Sequence, residues 1–145
     1  MKHVNIYICA TQKSPKRLNG MGCYILEFQT DKGAVTKTQF VELENETANS
    51  AEIVLMSEAL KRLTAKCELT IYTVVGQVGI AIGTGWITNW EENGWKTSKN
   101  TPVQDKEKWI LLRSLLSGHD VRFETGEHQY LEWMNREITK RIDTK

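Results

Sequence analysis

The residues with chemistry to offer are few and widely spaced. Cys9, Cys23 and Cys67 are the three cysteines. An odd number with no C-x-x-C pair argues against a disulfide framework or a zinc site, and fits a reducing, cytoplasmic setting. A Cys9 thiolate would be a soft ligand, suited to Zn²⁺ or Cu⁺. No His or second Cys stands near it in sequence, so it reads as a small buried residue. Glu52 follows Asn49 by three residues. Such an Asn-x-x-Glu box, akin to a capping box, stabilises a helix start by itself. His128 lies in Thr125-Gly126-Glu127-His128-Gln129-Tyr130 and reads as a surface histidine. Lys96 and Lys99 are cations set among Trp86, Trp90, Trp95 and Trp109. Aromatics that large pack helices together, and that reading outranks base stacking.

The chain around these residues is ordinary. Its 145 residues suggest one domain spanning 1–145. A domain of that size buries roughly two-thirds of its unfolded surface and needs no disulfide staple. No apolar run approaches the roughly 18 residues of a membrane span, so no membrane partner is expected. The start, Met1 to Asn5, leads into no apolar run long enough for a signal peptide. A net charge of +1 excludes a strongly basic nucleic-acid binder. Charge is uneven, however. Lys13, Lys16 and Arg17 cluster, Lys140, Arg141 and Lys145 lie near the end, and Glu42, Glu44 and Glu46 form an acidic group between them. A mixed solvated surface explains these groups as well as a binding patch does.

Hydrophobic periodicity places the candidates on elements. Residues 4–9 alternate and predict a strand carrying Cys9. Residues 12–20 are polar, with Pro15, Asn19 and Gly20, and predict a loop. Residues 21–28 are apolar except for Glu27, as in a largely buried strand. Asp31-Lys32-Gly33 is a hairpin signal before a third alternating strand over 35–43. The period then changes. Ile53, Met56, Leu60 and Leu63 mark a helix over 49–65, with Thr47 or Asn49 as its N-cap. A strand over 68–75 follows, which implies a right-handed parallel crossover. Residues 76–85 hold four glycines and predict a weak helix at best. Residues 86–92 form a short helix stopped at Asn93-Gly94, and 105–117 an amphipathic helix capped at Gly118. A short strand over 121–124 precedes a closing helix over 129–142, with Tyr130, Met134, Ile138 and Ile142 along one face. Without the glycine-rich segment the order is β-β-β-α-β-α-α-β-α.

That order, and one segment above all, resemble a known family. The run Trp86-Ile87-Thr88-Asn89-Trp90-Glu91-Glu92-Asn93-Gly94-Trp95-Lys96-Thr97, followed by Pro102-Val103 and Trp109, is similar to the handle segment of bacterial ribonuclease HI. Glu46-Thr47-Ala48-Asn49-Ser50-Ala51-Glu52 looks like the family's T-T-N-N-R-x-E helix start, and Cys67-Glu68 leading to Tyr72-Thr73 like its C-E-V-x-x-x-T-D strand. The resemblance implies an α/β, RNase H-like fold. Its mixed five-stranded sheet would have three antiparallel strands, then parallel crossovers, with helices on both faces.

The resemblance also implies an activity. Family members cleave the RNA strand of an RNA–DNA hybrid with two Mg²⁺ ions, which activate water and stabilise the leaving oxygen. Mg²⁺ demands oxygen ligands in octahedral geometry, and four carboxylates supply them. Only Glu52 remains here. The other three positions read Cys9, Val74 and Asn135, with Val75 as the alternative to Val74. The resemblance thus gives Glu52 a second reading, as a leftover ligand, which ranks below the helix-start reading. The catalytic histidine loop is shortened around His128. Substrate contacts survive better: Asn49 and Gln77 match residues that contact the hybrid backbone near the minor groove, and Lys96 and Lys99 lie in the handle. Glu91-Glu92, however, replaces part of a basic run.

The expectation is a catalytically degenerate, monomeric ribonuclease HI-like domain with no metal and no other cofactor. It would retain weak binding of RNA–DNA hybrid or another nucleic acid through Asn49, Gln77, Lys96 and Lys99. The first rival is a scaffold for an unknown protein partner. The second is a working nuclease with replacement carboxylates among Glu124, Glu127 and Glu132.

Overall fold

The computed structural model describes residues 2–143; Met1 and Lys145, both used in reading the sequence, lie outside the described residues. Three strands come first: β1 (Lys2–Ala10), β2 (Leu18–Thr30) and β3 (Gly33–Glu46). Then follow α1 (Ala48–Leu60), β4 (Cys67–Thr73), α2 (Gln77–Gly83), α3 (Trp86–Glu92), α4 (Lys106–Leu116), β5 (Asp120–Thr125) and α5 (Leu131–Asp143). The strands form one mixed sheet in the order β3-β2-β1-β4-β5. β1–β2 and β2–β3 are antiparallel, whereas β1–β4 and β4–β5 are parallel.

Strand alternation divides the core between the two faces. Val4, Ile6, Ile8 and Ala10 of β1 join the cluster built with α1 and α4. Tyr7 and Cys9 turn the other way and pack with Met21, Cys23, Ile25 and the α5 residues Met134 and Ile138. α1 lies close on the sheet at Gly22, where a Cβ would stand 2.7 Å from Leu55. A side chain there would push α1 away and with it Glu52.

Four local differences from the sequence reading have physical causes. The α1 N-cap is Thr47, and its capping box is closed by Ser50: Ser50 N–H donates to Thr47 Oγ1 at 3.0 Å, and Thr47 N–H to Ser50 Oγ at 2.8 Å. Glu52 therefore plays no part in the cap, and the Asn49-x-x-Glu52 reading is corrected. α1 also ends at Leu60 and not at residue 65, because the bonds Arg62 N–H to Ala59 O and Leu63 N–H to Leu60 O tighten the chain into a turn. The glycine-rich stretch does form α2, since burial of Val78, Gly79 and Ala81 overrides weak propensity. Glu46 does not join a solvated acidic patch. It is buried, and accepts from Ser50 Oγ at 3.0 Å and Lys108 Nζ at 3.4 Å.

Candidate functional site

The neighbouring β1 and β4 end at the same margin of the sheet, and the residues at their ends meet there with α1 and α5. Cys9, the penultimate residue of β1, is only 2% exposed. Its Sγ donates to Asn135 Oδ1 of α5 at 3.0 Å, across 126 positions of sequence. Burial pushes the thiol pKa up; the Lys13 charge pulls it down and the Glu52 charge raises it. The sulfur therefore holds its proton more tightly than a free cysteine does.

Glu52 reaches the same margin from α1 and is 3% exposed. Its Oε2 accepts from the backbone N–H of Val74 at 3.1 Å and of Val75 at 3.0 Å. The carboxylate ties α1 to the chain leaving β4. That chain turns sharply at Gly76, whose φ is 85° and where a Cβ would stand 2.8 Å from Thr125 Cγ2. Oε1 is buried with no hydrogen-bond partner. Burial raises the Glu52 pKa; the amides of Val75 and Val74, Lys13 and the Gly76 amide offset only part of it.

A second carboxylate, not among the sequence candidates, lies below α5. Glu27 of β2 is 5% exposed. Its Oε1 accepts from Asn5 Nδ2 at 2.8 Å and Tyr7 Oη at 3.3 Å. Its Oε2 accepts from Tyr130 Oη at 2.5 Å and Gln129 Nε2 at 3.3 Å. Burial alone would raise its pKa, but the bonds from Tyr130, Asn5 and Tyr7 prevail and hold it below the usual range. Tyr7 stacks on Tyr72 with centroids 4.5 Å apart, and desolvation first of all lifts its phenol to about 12. The sequence did carry a signal, since Glu27 is the one charge in an otherwise apolar run.

His128 is corrected from a surface histidine to a half-buried one. Its ring lies 4.9 Å from that of Tyr7, and its Nε2 is buried without a partner. Burial lowers its pKa, so the ring favours its neutral form. Asn49 and Gln77, 28 positions apart, are brought together: Asn49 Nδ2 donates to Gln77 Oε1 at 2.8 Å. Asn49 Oδ1 is buried and unpartnered. Both residues line a groove of about 450 Å³ between the β1–β2 loop, the start of α1 and the handle. Lys13, Trp86 and Thr97 line it too; Lys96 and Lys99 do not. Trp90 packs against Trp86, Trp95 and Trp109, which joins α3 to α4, while Trp86 stays 50% exposed beside the groove.

These donors do not fit a pair of hard cations. One Glu52 oxygen already serves two amides, Cys9 offers a protonated sulfur, and Val74 and Val75 offer no side-chain ligand. Among the described residues no group of three His, Cys, Asp or Glu side chains could hold a metal, and Glu124, Glu127 and Glu132 form no such group.

Comparison with known proteins places the chain. The RNase H family profile matches residues 1–126. The chain is 32% identical over 139 residues to a ribonuclease H of Clostridium botulinum, covering 94% of this chain and 91% of that one. It is 34% identical over 138 residues to a ribonuclease H of Caldicellulosiruptor saccharolyticus, covering 93% and 90%. In structure it is similar to LC9-RNase H1, a type 1 RNase H with the type 2 active-site motif, at a TM-score of 0.77 and 16% identity over 99% of this chain and 74% of that one. It is also similar to RNase H1 of Halobacterium salinarum, at a TM-score of 0.60 and 15% identity over 99% of both chains. LC11-RNase H1, solved in complex with an RNA/DNA hybrid, superposes at 0.58 with 13% identity over 96% and 99%. A mixed sheet in this order, with α1 and α5 on opposite faces and matches over nearly the whole chain, leads to one conclusion: the chain belongs to the ribonuclease H family.

Proposed function

We propose that this family member does not perform metal-dependent hydrolysis of RNA–DNA hybrids, and that it binds nucleic acid weakly without cutting it. The observation that carries the reading is the state of the Glu52 carboxylate. It is consumed as a strut between α1 and the end of β4, while near the end of β1 stands a thiol bonded to an amide oxygen. Two-metal chemistry needs a water activated on one ion and a leaving oxygen held by the other. Losing one transition-state stabiliser typically costs about 10²–10³ in rate. Loss of both ions removes the nucleophile and the clamp together.

Binding is supported by what remains. Asn49 and Gln77 form an amide pair in the groove wall, where polar groups can face a nucleic-acid backbone. Lys96 and Lys99 do not line the groove and would add charge only from its surroundings. With so few cations, affinity should be on the order of micromolar or poorer at physiological salt.

The test is a cleavage assay with a labelled RNA–DNA hybrid in Mg²⁺ or Mn²⁺. No product above the metal-free control is expected. Metal-dependent turnover that disappears in Glu52→Ala would overturn the reading and favour a rearranged active site.

A further inference from the structure

We propose that Lys13, in the loop between β1 and β2, is the phosphate anchor of the groove, in the role first expected of Lys96 and Lys99. The proposal rests on reading the groove as a nucleic-acid site and names the residue that would carry its charge. Among the described residues the groove wall holds one cation, Lys13, and one anion, Asp105. Asp105 is already neutralised. It meets Arg17 Nη2 at 3.0 Å and Lys108 Nζ at 3.8 Å. Arg17 is engaged further by a bond to Asn45 O at 3.2 Å, and Lys108 by Glu46 at 3.4 Å. Lys13 is exposed and, among the described residues, makes no ion pair and no hydrogen bond. An ammonium with no ion-pair partner, beside Asn49, Gln77 and a half-exposed tryptophan, suits a phosphodiester whose base and sugar lie against the other wall.

Its position also explains binding without cutting. Lys13 is close enough to the margin of β1 and β4 for its charge to act on both Cys9 and Glu52. A divalent cation there would polarise a phosphate and generate a nucleophile from water. An ammonium is a compact point charge that can hold the anion but does not activate water. Lys96 and Lys99, by contrast, belong to a handle loop closed on itself: Asn93 Nδ2 donates to Lys96 O at 3.1 Å, and Lys99 N–H to Thr97 Oγ1 at 3.3 Å.

The experiment is fluorescence anisotropy with a labelled RNA–DNA hybrid, duplex RNA and duplex DNA across a salt series. Wild type, Lys13→Ala, Lys13→Arg and the double variant Lys96→Ala/Lys99→Ala are compared, each checked for an unchanged melting temperature. Lys13→Ala should lower affinity several-fold at low salt and flatten the log–log salt slope by about one unit, the signature of one lost phosphate contact. Lys13→Arg should restore both, and Lys96→Ala/Lys99→Ala should change the slope less than Lys13→Ala does. Binding by wild type with an unaltered slope in Lys13→Ala overturns the anchor and leaves the nucleic-acid reading standing. No binding by wild type to any duplex at low salt overturns that reading and the anchor with it.

Discussion

Glu27 and Glu52 are both buried glutamates in one small α/β protein, and their surroundings treat the charge in opposite ways. Around Glu27 every hydrogen bond is donated to the carboxylate, by Asn5, Tyr7, Gln129 and Tyr130. Those donors come from β1 and from the segment that enters α5, so the charge itself fastens α5 to the sheet. Around Glu52 two backbone amides serve one oxygen and nothing serves the other. Glu27 is held below the usual carboxylate range and Glu52 above it. Equal burial therefore does not mean equal roles. A carboxylate kept for its charge is saturated with donors. One that serves only two backbone amides is tolerated with an oxygen unpaired.

The largest effect should come from building the family's carboxylate set around Glu52. Cys9→Asp, Val74→Asp and Asn135→Asp together would place three new carboxylates beside Glu52. Without metal the clustered charges should lower stability, by on the order of 4 kcal/mol. Mn²⁺ should bind, as followed by calorimetry, and reverse much of that loss. A folded triple variant that fails to bind Mn²⁺ would show that at least one position is misassigned.

Removing the saturated carboxylate should come next. Glu27→Ala strands four donors, of buried Tyr7, part-buried Asn5 and Tyr130, and Gln129, and should cost about 3 kcal/mol in chemical denaturation. A loss under about 1 kcal/mol would break the contrast, because Glu27 would then be no more important than an ordinary partly buried polar group. Glu52→Gln should do much less. It keeps an acceptor for the Val74 and Val75 amides and removes a desolvated charge. Stability at neutral pH should move by about 1 kcal/mol or less, in either direction.

The smallest effect is in the pH profile, where the two glutamates should act with opposite sign. Glu27 has a depressed folded pKa. It contributes stability above its unfolded value near 4.3, and this is lost as pH falls through the folded value. Glu52 has a raised folded pKa. Its contribution is present below the unfolded value and is lost as pH rises through the folded one. Glu27→Gln should therefore flatten the acid side of the stability profile. Glu52→Gln should flatten the fall on the other side. Urea midpoints taken across pH 3–8 (roughly, bracketing both carboxylates) would separate them.

Much of the fold was legible because its periods are clean. Alternation over residues 4–9 and 35–43 marked strands, and Ile53, Met56 and Leu60 marked the face of α1. The site was legible in part. Cys9 stood out as a cysteine but Asn135 only through resemblance to a family pattern, and the 3.0 Å contact brings them together. The partners of Glu52 were not legible, since a backbone amide at the end of a strand has no residue type to announce it. Glu27 stood out as a lone charge in an apolar run, but its partners are scattered from Asn5 to Tyr130. Lys96 and Lys99 matched the handle by position, yet side-chain reach across a groove depends on how the loop closes. Lys13 was visible only as one of a basic group, because pairing of Arg17 with Asp105 joins residues 88 positions apart.

The central claim is that the Glu52 carboxylate is a strut between α1 and the end of β4 and not a metal ligand. Its most direct test is a Mn²⁺ titration followed by paramagnetic broadening of the Val74 and Val75 amide resonances, which report on the atoms bonded to Glu52. The account predicts no saturable broadening of these two amides beyond that of exposed surface amides. Saturable, site-specific broadening that vanishes in Glu52→Gln would contradict it.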